Sequence, residues 1–128
     1  MSKADLVQQV KAICRQAGQP YRTPPPTDPR EYATFLHGLI PAEARGVRAL
    51  EALRPPPDLS AEWMARAIGP ERQQLADAQT LASALDKADA TQGPILVQTG
   101  MATLDRRGAQ INGYWSQLGI SDCLDSPL

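Results

Sequence analysis

The stretch DPREYATFLHGLIPAEARGVRALEALRPPP, residues 28–57, decides the fold. Asp28-Pro29 reads as an N-cap followed by a first helical residue, because proline is preorganised for that position and has no N–H to lose there. Tyr32, Phe35, Leu36, Leu39, Glu43, Val47, Leu50 and Leu53 then recur at helical period, which predicts one apolar face over residues 29–54. Pro55-Pro56-Pro57 ends the run. Pro41 falls inside it and is expected either to kink the helix or to split it in two, since its ring crowds the preceding turn and its nitrogen cannot donate.

The same period appears on both sides. Upstream, Leu6, Val7, Val10, Ile13 and Cys14 form a stripe over residues 3–17. Ser2 with Asp5 opens this helix as a capping pair, and Gly18 with Pro20 closes it. Residues 20–28 carry Pro24-Pro25-Pro26 and read as a stiff extended spacer. Downstream, Met64, Ala67, Ile68, Leu75, Ala78, Leu81, Ala82, Leu85 and Ala88 mark an inward face over residues 59–91, capped by Asp58 or Ser60 and bent at Gly69-Pro70. Gly93-Pro94 separates it from a helix over 94–118, with Val97, Met101, Leu104, Ile111, Trp115 and Leu118 inward. Gly119 suits the left-handed residue after a helix end, with Ile120 as its hydrophobic partner. No segment alternates with period two over strand length. The expectation is a single all-α domain spanning residues 1–128, an up-and-down four-helix bundle with proline-rich connections.

Composition agrees and narrows the function classes. Hydrophobic residues make up 42% of 128, but only six residues are aromatic, which favours close-packed helices over sheets. Thirteen basic and fourteen acidic residues leave a net charge of −1, with a pI near 5.7. A nucleic-acid binder shows a basic face, and the longest basic run here is Arg106-Arg107, so nucleic acid is excluded as a partner. No run approaches the ~20 apolar residues of a membrane span. The opening Met-Ser-Lys-Ala-Asp enters an amphipathic pattern without a signal-peptide core, so an exported form would be read here as a mature domain without its leader.

Cys14 and Cys123 lie 109 positions apart. A bond between them would tie nearly the whole chain and would stabilise it by about 4–5 kcal/mol in the chain-entropy account. Such a pair suits an oxidising compartment better than the cytosol, with two free thiols as the alternative. Three landmarks share the chain with these cysteines: Val-Lys-Ala-Ile-Cys (10–14), Leu-Arg-Pro-Pro-Pro-Asp-Leu (53–59) and Gln-Leu-Gly-Ile-Ser-Asp-Cys (117–123). Their order resembles small helical lipoproteins and secreted or envelope-anchored domains of actinobacterial type, which are of unassigned activity. The resemblance implies an extracytoplasmic helical domain with Cys14 and Cys123 paired. The chain departs from that pattern in lacking a leader or lipobox and in its proline-rich 20–28 connector.

Catalytic constellations are missing from the pattern. His37 is the single histidine and stands off the apolar stripe, toward solvent, with no nucleophile elbow to serve it. Thr34 occupies the place where a carboxylate-bundle metal site needs glutamate, and an outward His37 cannot join Met64 or Met101 as a haem ligand, so no metal, haem or other cofactor is expected. Glu43 is the one acid squarely on an apolar stripe, which marks either a site or a paired structural charge. Trp63, Met64, Tyr114 and Trp115 are expected near one end of the bundle, either as core or lining a cavity for a small apolar ligand. The functional expectation is a non-enzymatic extracytoplasmic module binding a partner protein or a small apolar ligand. The alternative is a cytosolic helical adaptor with unpaired cysteines.

Overall fold

The computed structural model describes residues 1–18 and 24–123. Its elements are α1 (Lys3–Gly18), α2 (Pro29–Glu51), a 3-10 turn (Pro57–Leu59), α3 (Ser60–Trp63), a π-turn (Met64–Ile68), α4 (Gly69–Lys87) and α5 (Gln92–Gln117). There is no strand among the described residues, and the all-α expectation is met. Residues 19–23 of the proline-rich connector and residues 124–128 of the tail lie outside the described residues; 24–27 carry no regular secondary structure.

The helix ends follow from local chemistry. The Asp5 amide donates to Ser2 Oγ at 3.1 Å and the Ser2 amide donates back to the Asp5 carboxylate at 3.2 Å, a reciprocal box that satisfies donors the helix itself cannot. These hydrogen bonds from Ser2 hold the Asp5 carboxyl below its ordinary value. Asp28 caps α2 by accepting from the Glu31 amide at 3.1 Å, with Pro29 in the first turn. At the far end of α5 the Ile120 amide donates to the Trp115 carbonyl at 2.8 Å and the Gly119 amide to that of Ser116 at 3.0 Å. Gly119 adopts φ +76°, and Ile120 is buried in the same cluster as Trp115. This is a Schellman cap, closed by the apolar contact expected of Ile120.

The structure refines the proline-containing stretches and corrects several helix boundaries. Of the two outcomes expected at Pro41 the split does not occur: α2 is one helix through that exposed position, and it ends at Glu51 rather than residue 54. At the expected interruption, Gly69-Pro70, the helix widens just before the pair, and such a widened turn is one of the causes of helix bends. The Gly69 amide donates to the Met64 carbonyl, five residues back, and a Cβ on Gly69 would lie 3.1 Å from that same oxygen. Proline at 70 cannot donate to the preceding turn, and a π-turn is the usual accommodation of such a break. The same element enters through the 3-10 turn, with no side-chain cap from Asp58 or Ser60, and stops at Lys87. Finally, Gly93-Pro94 lies inside the first turn of α5. Asp89 is the real start signal: its Oδ1 accepts from the amides of Thr91 and Gln92 at 2.9 and 2.7 Å, and Gln92 Oε1 accepts from the Asp89 amide.

Helices α2, α4 and α5 pack on one another, and α1 lies against α2. The buried residues fall into two clusters. One joins Leu6 and Val10 of α1 to Leu50, Trp63, Ala67, Ile68, Ile111, Tyr114, Trp115, Ile120 and Cys123. The other gathers Tyr32, Ala33, Leu36, Ala78, Leu81, Ala82, Leu85, Val97 and Leu104. α1 is too short to follow its neighbours, so it covers only the first cluster.

Candidate functional site

The Cys14 and Cys123 sulfurs are bonded, with their Cα atoms 5.0 Å apart, and no cysteine is free. The helix cap at Gly119 makes this geometry: it reverses the chain after α5, and Ile120 anchors the reversal in the core, delivering Cys123 to α1. Arg15 and Asp122, the neighbours of the two cysteines, pair across the same junction at 3.3 Å.

The aromatic end lies next to this junction. Trp63 and Trp115 have centroids 6.0 Å apart at 59°, and Tyr114 lies 5.7 Å from Trp115 at 40°. Three of the four expected residues thus converge and are buried. Met64 does not. It is 48% exposed, contrary to its expected inward position, and it is the first residue of the π-turn, where the face a residue presents departs from α-helical spacing. The Arg66 guanidinium stands 4.9 Å from the Tyr114 ring centre, pairs with Glu62 at 3.9 Å and donates to Gln117. The Tyr114 hydroxyl is buried without a hydrogen-bond partner. Burial raises its pKa and the Glu62 charge adds to this, while Arg66 works the other way.

A second feature lies between the two clusters. On α2 the interval between Leu36 and Leu50 holds Glu43; on α4 the interval between Ile68 and Ala78 holds Glu71 and Gln74; on α5 Arg107 and Gly108 separate Leu104 from Ile111. Burial pushes the Glu43 carboxyl up to about 7. Burial, reinforced by the nearby Glu43 charge, pushes Glu71 up to about 8. Gln74 is only 3% exposed, and its Nε2 has no acceptor. Arg72 holds Glu51 at 3.1 Å and Arg107 holds Asp77 at 3.2 Å, while Arg45 and Arg48 of α2 are exposed. Among the described residues no three His, Cys, Asp or Glu side chains converge as a metal cluster.

Glu43 was legible from its place on the apolar stripe. Glu71 and Gln74 were missed, although the signal was present: Ala67, Glu71, Gln74 and Ala78 continue one helical face at steps of three and four. His37 is exposed as expected, and its Nε2 lies 2.8 Å from an Asp86 oxygen, a surface link between α2 and α4.

Comparison with protein families, with curated proteins and with solved structures found no match. No helix among the described residues is long and apolar enough to cross a membrane.

Proposed function

We propose that this chain is a non-enzymatic binding module of an oxidising, extracytoplasmic compartment. The observation that carries the reading is the Cys14–Cys123 bond, which closes 109 positions of sequence and would be kept reduced in the cytosol. Its ligand is a partner protein or a small apolar molecule received at the aromatic end. The buried, unpartnered Tyr114 hydroxyl supports that location, because an apolar ligand carrying one acceptor would satisfy a group that is costly to leave unpaired.

Mass measurement after alkylation in denaturant, with and without prior reduction, tests the compartment. Labelling that requires reduction, in protein purified from its native host with thiols trapped at lysis, is the expected outcome. Labelling of both cysteines without reduction overturns it and favours the cytosolic adaptor. Titration with a long-chain fatty acid, followed by tryptophan emission, tests the ligand, since Trp63 and Trp115 are the only two tryptophans and share this end.

A further inference from the structure

The disulfide joins the two segments that border one apolar cluster, the one holding Trp63, Tyr114 and Trp115. α1 gives that cluster Leu6 and Val10, both fully buried, with Val7, Ile13 and Cys14 partly buried beside them. The segment after α5 gives it Leu118, Ile120 and Cys123. The second cluster draws on neither segment, so the bond bears on one end of the molecule only.

That end is shut. Trp63, Trp115 and Tyr114 are 2%, 1% and 0% exposed, so nothing of molecular size reaches the unpartnered Tyr114 hydroxyl until a covering segment moves. The Ile120 segment is fixed to α5 by its backbone cap. α1 is held more lightly. It packs against α2, its fully buried side chains are Leu6 and Val10, and a free helix of 16 residues is only marginal in water. The sulfur–sulfur link keeps α1 beside its seat, which makes redocking of those two side chains an intramolecular event at high effective concentration.

We propose that α1 is a lid over the aromatic end, latched by the Cys14–Cys123 bond and released by a dithiol reductant. The step is thiol–disulfide exchange. Cys14 is partly exposed and Cys123 is 3% exposed, so a thiolate of the reductant attacks the Cys14 sulfur. The bond between the two cysteines breaks, and Cys123 leaves as a thiolate. The reductant's second thiolate then attacks its own sulfur in the mixed disulfide, which frees Cys14 and leaves the reductant as a closed disulfide. Two electrons pass to the cysteines, and the two thiol protons of the reductant end on them. The Arg15–Asp122 pair then remains across the junction, and an ion pair with so exposed an arginine holds little.

The lid would regulate the ligand site proposed above and rests on that reading for its purpose; its release is tested without any ligand. The experiment is iodide quenching of tryptophan emission in the full chain at constant ionic strength, oxidised or in dithiothreitol, with far-UV circular dichroism in parallel. Both tryptophans lie at this end. The oxidised chain is quenched weakly. Reduction raises the quenching constant several-fold while α2, α4 and α5 keep their helical signal, and Cys14→Ser with Cys123→Ser reproduces this without reductant. Leu6→Ala with Val10→Ala raises quenching with the bond intact, because α1 is the cover. Quenching unchanged on reduction, or unchanged in the Leu6, Val10 variant, overturns the proposal. Quenching that rises only together with loss of the helical signal overturns it too, by making the bond a support of the whole fold. A fatty-acid titration that fails while these outcomes hold removes the ligand and leaves the lid.

Discussion

Glu43 and Glu71 make folding sensitive to protons in a direction opposite to that of most carboxylates. Their ordinary value is 4.5, and in the folded chain they hold protons up to about 7 and about 8. Between these limits the folded state binds more protons than the unfolded one, so stability falls as pH rises through the window. Each unit of displacement is worth about 1.4 kcal/mol, so the pair supplies a loss of several kcal/mol from pH ~5 to pH ~8.5. The surrounding charges do not cancel it. Arg45 and Arg48 on α2 are exposed, and Arg72 and Arg107 have partners. Asp5 and Glu51 are held below their ordinary values, so they act only below this window. Melting temperature measured across the range should decline with pH in the native chain and stay nearly flat in the Glu43→Gln, Glu71→Gln variant. A native chain that melts higher at alkaline pH would contradict the burial of these two groups. Capping gives a second expectation at this scale: Asp28→Ala removes the acceptor for the Glu31 amide and should lower stability by about 1 kcal/mol in denaturant titration.

At the scale of elements, α5 carries two glycines with opposite burdens. A Cβ on Gly113 would meet nothing within 4 Å, whereas one on Gly100 would lie 2.6 Å from Leu81 Cδ1 and 3.0 Å from its Cγ. Alanine favours a helix interior over glycine by about 1 kcal/mol, so Gly113→Ala should raise stability by up to that amount. Gly100→Ala gains the same propensity but must push aside a buried leucine, at a cost of about 1–3 kcal/mol. Chemical denaturation of the two variants should therefore place Gly113→Ala above the native protein and Gly100→Ala below Gly113→Ala. The pair checks how closely α4 and α5 approach.

Most of the elements were legible because their signals are local. Asp28-Pro29, the Ser2–Asp5 box and the Gly119–Ile120 ending each act within a few residues, and periodicity marked the apolar faces. The prolines left their alternatives open for a physical reason. Whether a helix survives one depends on what surrounds the freed carbonyl, which for Pro41 is an exposed face and for Pro70 is a widened turn tolerated by Gly69. The π-turn also explains Met64, since inward positions counted at α-helical spacing fail where the spacing changes. Glu71 was hidden by a different cause: a glutamate on an apolar stripe is ordinarily read as solvated, and its significance appears only when α2 brings Glu43 opposite.

At the scale of the whole molecule, the disulfide holds α1 and the segment after α5 against the cluster around Trp63 and Trp115. Cys14→Ser with Cys123→Ser should cost about 2–5 kcal/mol, read as a lowered denaturation midpoint, with tryptophan emission reporting first on this end. The second cluster, around Leu81 and Leu104, lies outside α1 altogether. Amide exchange in the reduced protein should therefore accelerate in α1 before it does in α4 and the first half of α5.

The bridge also decides how the chain would carry mechanical load. Tension applied at its two ends travels through residues 1–13, most of α1, then across the sulfur–sulfur link and out past Cys123. Residues 15–122, including the whole second apolar cluster and most of the first, form a closed loop outside that path. A tether pulled from either side would thus peel α1 as far as Cys14, taking Leu6 and Val10 out of the first cluster, while the loop beyond the link carries no load until the covalent bond itself gives way.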